Sequence, residues 1–321
     1  MALPAFLSSV NAVSSLVSIM LTLPTLTVEE IAGYQDSLEV WKRMYPDQSL
    51  PETPGLQKHW NAITIDQLSN GLLFERDEDK ARLLAVRKPE SGAWLHALPS
   101  RSIGTLLENN TFRIIMGLRL GIDICAPHTC LCGAQVDRKS HHGLKCRKSA
   151  GRHARHSELN NIIKRALVSA DVPAVLEPIG LARNDGKRVD GMTLIPWSKG
   201  STLVWDATCT DTFAPSNIGF STRQAGRAAE DKAQRKTRKY RELIDQNYCF
   251  VPFAVEMGPW STEARKFFYD LTKMITLKTN EPRSKSFLKQ RLSMAIQRGN
   301  AAAIMGTFRG CDKMDEIFYL L

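Results

Sequence analysis

Lys187–Cys209 reads KRVDGMTLIPWSKGSTLVWDATC. Two runs rich in β-branched and aromatic residues, 188–195 and 202–209, flank Pro196-Trp197-Ser198-Lys199-Gly200. Turn formers between two such runs predict a β-hairpin. Each strand carries one acid in apolar company, Asp190 and Asp206. With Trp197-Ser198-Lys199 as the loop, residue 196 faces 200 and residue 190 faces 206. Opposed residues of an antiparallel pair share a face, with Cβ atoms about 5 Å apart. Two carboxylates that close repel unless a proton or a cation lies between them. A hard divalent ion, Mg²⁺ or Mn²⁺, suits such oxygen ligands. Register decides the matter, because a slip of one residue turns Asp206 to the opposite face.

The composition narrows the setting. A chain of 321 residues, 43% of them hydrophobic, can bury a core and suggests about two domains. Lys and Arg outnumber Asp and Glu by 43 to 33, a net charge of +10 that suits a polyanionic partner. The seven cysteines make no even disulfide framework. Three of them crowd 125–132 beside histidines, which points to metal in a reducing compartment. The first 26 residues are apolar, but Ser and Asn interrupt them and no basic segment precedes them, so they are not read as a signal peptide. No other run approaches the length of a membrane span. The expectation is a nuclear protein, or a cytoplasmic one before import, with no membrane partner.

Three regions follow from the patterning. Residues 1–122 read as a mostly helical lead-in, with a Pro-rich break between Tyr45 and Gly55 and a capped amphipathic segment at 102–120. Residues 123–150 contain CAPHTCLCGAQVDRKSHHGLKC at 125–146. Cys130, Cys132, His142 and Cys146 are candidate ligands for a structural Zn²⁺, since thiolate and imidazole are the groups zinc prefers. His141 has a spacing as good as that of His142, and Cys125 or His128 could substitute. A module this small needs the metal to stay folded, so chelation is expected to unfold it and leave the rest intact.

Residues 151–321 read as an α/β layer with mixed strand pairing. The basic run Arg147, Lys148, Arg152, Arg155 and His156 leads into a helix ending near Ala170. Its charge suits phosphate contact. A short strand at 173–178 precedes the hairpin. A basic helix is expected over 222–245, carrying Lys232, Lys236 and Tyr240 on one face and Lys239 beside them. A lysine from this helix would supply the cation missing at Thr208, two residues beyond Asp206 on the same face. A strand at 248–256 follows, and its Pro252 argues for an edge or a bulge. Helices at about 262–277 and 285–305 close the chain.

The pattern of an acid on one strand and acid-x-polar on the next resembles the PD-(D/E)xK nucleases. Taken in order, Cys130-x-Cys132, His142, Cys146, Arg155-His156, Asp190, Asp206, and Lys236 with Tyr240 resemble the C-terminal region of non-LTR retrotransposon polyproteins that carry a restriction-like endonuclease. The resemblance covers about 125–257. It implies a restriction-endonuclease-like core of mixed β-sheet flanked by helices, preceded by the zinc module. It further implies Mg²⁺ or Mn²⁺ on Asp190 and Asp206, completed by the Ala207 carbonyl and Glu158 or Glu177. Lys236 would be the catalytic lysine, with Lys239 as the alternative, and Tyr240 would support it. Arg147, Lys148, Arg152, Arg155, His156, Lys232 and Lys239 would contact DNA, and element RNA is a further partner. The chain departs from the family at Val189, where proline is usual. It holds no Tyr/Phe-x-Asp-Asp signature, so the resemblance implies a fragment whose upstream reverse transcriptase is missing.

Overall fold

The computed structural model describes residues 34–49, 57–149, 151–181 and 188–308, apart from the side chains of 34–38, 57–58 and 152. The apolar N-terminus and the Asn184-Asp185-Gly186 turn lie outside them. The chain divides into two compact units, Met1–Phe74 and Glu75–Leu321. In the first, α1 (Tyr34–Met44) and α2 (Gln57–Asn70) bring together the buried Trp41, Tyr45 and Trp60. The Trp41 and Trp60 rings meet edge to face at 5.3 Å, and the Tyr45 hydroxyl lies 2.6 Å from Thr64 Oγ1.

The second unit is mixed α/β, with a four-stranded mixed sheet flanked by helices. It begins with α3 (Asp77–Val86), a 3₁₀ turn at Ala93–His96 and α4 (Asn109–Leu120). The amphipathic segment expected at 102–120 becomes helical only at Asn109, because the Glu108 carboxylate accepts from the Asn110 and Thr111 amides. A small hairpin, β1 (His128–Thr129) and β2 (Gln135–Val136), and the short α5 (His142–Lys145) follow. Next come α6 (Gly151–Ser169), β3 (Ala174–Leu176), β4 (Gly191–Ser198) and β5 (Ser201–Cys209). The rest is α7 (Pro215–Ser221), α8 (Arg227–Lys239), α9 (Arg241–Asp245), β6 (Cys249–Val255), α10 (Thr262–Thr279) and α11 (Ser284–Met305). The sheet order is β3-β4-β5-β6, antiparallel except for the parallel β5–β6 pair. β6 is an edge strand, where the missing N–H of Pro252 costs no ladder bond.

The hairpin turns differently from the expectation, yet its acids end up opposed. Ser198 pairs with Ser201, so the loop is the two residues Lys199 (φ 49°) and Gly200 (φ 79°). Both are left-handed, as a tight hairpin turn of this length requires. Irregularities between Met192, Pro196 and Ser198 then shift the register, and Pro196 has no N–H to hold a ladder there. By Gly191 the partner is Trp205, and continuing that pairing sets Asp190 across from Asp206.

Alternation on β5 sorts the two helical layers. Leu203, Trp205 and Ala207 face α6 and α10 in the main core, with Val251 and Phe253 beside them. Val204 and Asp206 face the other way, toward α8 and Tyr240. The buried Ala229 and Ala233, one turn apart, let α8 close on Ala254. The basic helix expected over 222–245 breaks at Tyr240 (φ −105°, ψ 26°), whose buried ring packs on Phe250 at 5.0 Å.

Gly191 owes its identity to Trp205, since a Cβ there would fall inside the indole ring, itself fixed by Nε1 donating to Asn160 Oδ1 at 3.0 Å. Gly191→Val is expected to lower stability by about 1–3 kcal/mol through overpacking. Urea unfolding checks this, and a midpoint unchanged from wild type contradicts it.

α11 ties the unit together. Its Ala301, Ala302 and Ala303 are fully buried. Trp94 N donates to Ser293 Oγ at 3.3 Å, and Ser149 Oγ donates to the Ala303 carbonyl at 2.8 Å. Leu144 of α5 shares a cluster with Leu118, Phe213, Met257 and Ile304. The short α5 therefore packs onto the same helix that lines the main core.

Candidate functional site

Two constellations of chemically capable side chains stand out. The first is built by β1–β2 and α5. The turn after Cys130 uses Gly133 at φ 91° to bring Cys132 round, and α5 carries His142 and leads to Cys146. Cys130 Sγ lies 3.7 Å from Cys146 Sγ, and Cys132 Sγ lies 3.2 Å from His142 Nε2. All four ligand atoms fall within 4.8 Å of one another. Zinc–sulfur bonds of about 2.3 Å at tetrahedral angles set sulfurs about 3.8 Å apart, so this Cys₃His set could hold a metal such as zinc. The geometry chooses His142 over its neighbour. His141 is stacked on Phe213, with ring centroids 4.0 Å apart, and burial pushes its imidazole down to about 4. Cys125 and His128 stay outside the set; His128 Nε2 lies 2.8 Å from Thr307 Oγ1 and its ring stacks on Phe308.

The second constellation is the acid pair of the main sheet. Asp206 is 3% exposed, and its Oδ1 accepts from Lys236 Nζ of α8 at 2.6 Å. Burial raises the Asp206 carboxyl above its ordinary range; Lys236 draws it down and Asp190 pushes it up again. Asp190 Oδ2 accepts from the Ala207 amide at 2.6 Å and from His156 Nε2 at 2.9 Å. The same His156 Nε2 lies 3.1 Å from the Ala207 carbonyl, so two oxygens converge on one donor. The hydrogen bond to Asp190 raises the His156 imidazole against the opposing effect of burial.

Lys236 and Lys239 have different places. Lys239 Nζ donates to the Tyr240 hydroxyl at 3.2 Å and lies over its ring, while Lys236 meets the acid. The Tyr240 hydroxyl donates its one proton to the Arg188 carbonyl at 2.9 Å and lies close to the Asp206 carboxyl. Each acid thus has its own basic partner, one from each helical layer. Among the described residues, the only close set of three or more His, Cys, Asp or Glu ligands is the Cys₃His one.

The remaining expected residues scatter. Arg147 and Lys148 are exposed just past Cys146, and Lys232 is half-buried one turn before Lys236. Arg152 belongs to α6, and its side chain lies outside the described ones. Arg155 departs from its expected role as a phosphate contact. It is buried, its stem packs where a Gly299 Cβ would lie, and Nη1 donates to Asn300 Oδ1 at 2.5 Å. It serves the α6–α11 contact. His156, expected on the DNA, is turned to Asp190 instead. That contact spans 34 positions of sequence and left no local pattern to find. Glu158 is turned away from the acid pair toward Arg165, Arg291 and Arg298. Glu177 reaches the pair only through its backbone, its amide donating to the Asp190 carbonyl at 2.9 Å.

Sequence reasoning passed over Asp211 altogether. Its Oδ1 accepts from the Phe213 amide at 2.9 Å, while the buried Oδ2 has no hydrogen-bond partner among the described residues. Burial pushes its carboxyl up to about 6 from 3.8, with Lys145 and Arg155 pulling the other way. Asp211 lies close enough to the buried Glu256 to disfavour charge there too. A raised carboxyl favours the protonated fold, so its stabilising contribution is full below pH 3.8 and is lost as pH rises through about 6. Asp211→Asn is therefore expected to stabilise the protein at pH 7.5, on the order of 2 kcal/mol, with the gain fading toward pH 4. Thermal melts across that range check it, and a gain that grows on acidification contradicts it.

No family model matches the chain, and no curated protein is similar to it. What the fold and sites define is a mixed α/β protein with a Cys₃His set that could hold a metal and an acid pair, Asp206 buried and Asp190 half-buried, each held by a basic side chain.

Proposed function

We propose that this protein is a metal-dependent DNA endonuclease of the restriction-like PD-(D/E)xK class, derived from a non-LTR retrotransposon protein. The observation that carries the reading is Lys236 Nζ at 2.6 Å from Asp206, whose strand neighbour across the hairpin is Asp190. Two acids on adjacent strands with one lysine are one set of groups that can hold a metal and stabilise charge during phosphodiester hydrolysis. The Asp190 carboxylate, the Asp206 carboxylate and the Ala207 carbonyl are hard oxygens, a donor set that fits Mg²⁺ or Mn²⁺. The convergence of Asp190 Oδ2 and the Ala207 carbonyl on His156 Nε2 supports a cation position there.

When bound, such an ion would lower the pKa of its water and offset charge on the scissile phosphate. Asp190 and Asp206 would hold it. Lys236 would orient the attacking water or stabilise the crowded phosphorus centre. The water oxygen would bond to phosphorus and give up a proton, one bridging P–O bond would break, and the leaving oxygen would take up a proton from solvent. Tyr240, whose amide donates to the Lys236 carbonyl at 3.0 Å, would support that lysine. The zinc module with Arg147 and Lys148 would place the duplex without reading its sequence, and Lys232 and Lys239 would add phosphate contacts. Nuclear DNA is the target this reading implies, with element RNA as a second partner.

Lys236→Ala is expected to lower nicking of supercoiled DNA about 100-fold while changing DNA affinity little. Lys239→Ala should leave nicking within a few-fold. The reverse order would move the catalytic role off Lys236.

A second reading rests on a different observation. Because Asp206 and Asp190 already meet Lys236 and His156 in separate pairs, the chain also fits a catalytically inactive, zinc-containing nucleic-acid-binding remnant. Metal-independent binding with no nicking by wild type would favour it.

A further inference from the structure

A groove between α6, α11 and residues 102–105 belongs to neither constellation. It encloses about 690 Å³ and opens to solvent. Ile162, Met294 and Ala295 form an apolar floor, and Ile103 and Phe287 stand exposed at its edge, 62% and 46% accessible. Three guanidiniums, Arg165, Arg291 and Arg298, surround it against one acid, Glu158. Arg298 is fixed by Nη2 donating to the Leu106 carbonyl at 2.9 Å. Arg283 lies over the Phe287 ring at 5.2 Å, but its charge is paired with Glu281, 2.9 Å away, so the groove's cations are the three arginines of its lining. Glu158 and Arg165 sit on the side of α6 turned from His156, so the groove runs about one helix diameter, roughly 10 Å, from Asp190.

Guanidiniums above an apolar floor beside an exposed ring match one ligand chemistry well. Phosphates take the arginines, and unstacked bases take the ring and the aliphatic surface. A duplex hides its base faces, and a lone phosphate has no use for the floor. We propose that this groove binds a single-stranded stretch of nucleic acid, the choice of nucleic acid over another anion resting on the nuclease reading. An unpaired strand held one helix away from the acids would keep a partly opened target in place.

The test is fluorescence anisotropy of labelled oligo-dU and oligo-U of about 12 nucleotides, which differ only in the sugar, without added divalent ion. Phe287→Ala and Arg291→Glu change exposed side chains, and unaltered melting confirms their folds. Each variant is expected to bind the strand about ten-fold more weakly than wild type, with duplex affinity within about two-fold. Loss with either oligonucleotide supports the groove, and the tighter of the two names the sugar. Wild-type affinity in both variants overturns it. So does an acidic amphipathic peptide that binds more tightly than either strand and is lost in the same variants. Asp206→Asn should keep strand binding, so a failed nuclease reading and a failed groove give different results.

Discussion

Asp206→Asn is expected to abolish Mg²⁺-dependent nicking of supercoiled DNA, with a loss of about 10³-fold or more. The substitution keeps the side-chain shape in a site that is 3% exposed, so the fold should survive. What it removes is the charge. A divalent ion held by two carboxylates loses half of its anionic ligands, and Lys236 loses the partner that sets its position. About 4 kcal/mol of lost transition-state stabilisation corresponds to 10³ in rate. Duplex affinity should change less than about three-fold, because phosphate contacts away from the acids dominate it. Wild-type nicking by this variant would remove Asp206 from the chemistry, and nicking lost together with binding would make it a structural residue.

Removal of the metal from the Cys₃His set should have the largest effect on stability. Structural zinc contributes folding free energy directly, and Cys146→Ser removes one of the four residues that could hold it. The sequence suggested a module that unfolds alone. The structure instead stacks His141 on Phe213, places Leu144 in a cluster with Ile304, and bonds Ser149 to Ala303. Loss of the metal should therefore loosen the end of α11 as well. Chelation or Cys146→Ser is expected to lower the melting temperature by on the order of 10 °C. Amide exchange should show Ala301–Ile304 opening together with residues 130–146. Protection of α11 that survives chelation would show the module to be independent.

Much of the sheet was legible because period-two alternation and turn residues act locally. The strands at 173–178, 202–209 and 248–256 and the two closing helices fall where the patterns put them. The opposition of Asp190 and Asp206 came from the wrong turn, and the register shift at Pro196 compensated for it. Contacts between remote segments were not legible. Nothing near Arg155 in the sequence announces Asn300 as its partner, and nothing near His156 announces Asp190. The break at Tyr240 was hidden too, because helix propensity runs straight through it and burial of its ring against Phe250 decides the bend. Glu158 illustrates the limit of counting acids: its face of α6 is set by where Leu159 and Ile163 must go, and that turns it to the arginine groove.

The proposed chemistry stands on one ion shared by neighbouring strands, and anomalous diffraction from crystals soaked in Mn²⁺ addresses it most directly. The account predicts a single peak about 2.2 Å from an oxygen of Asp190 and of Asp206, near the Ala207 carbonyl, with Lys236 moved off Oδ1. A map with no peak there, Lys236 still on Asp206 and His156 still on Asp190, would contradict it.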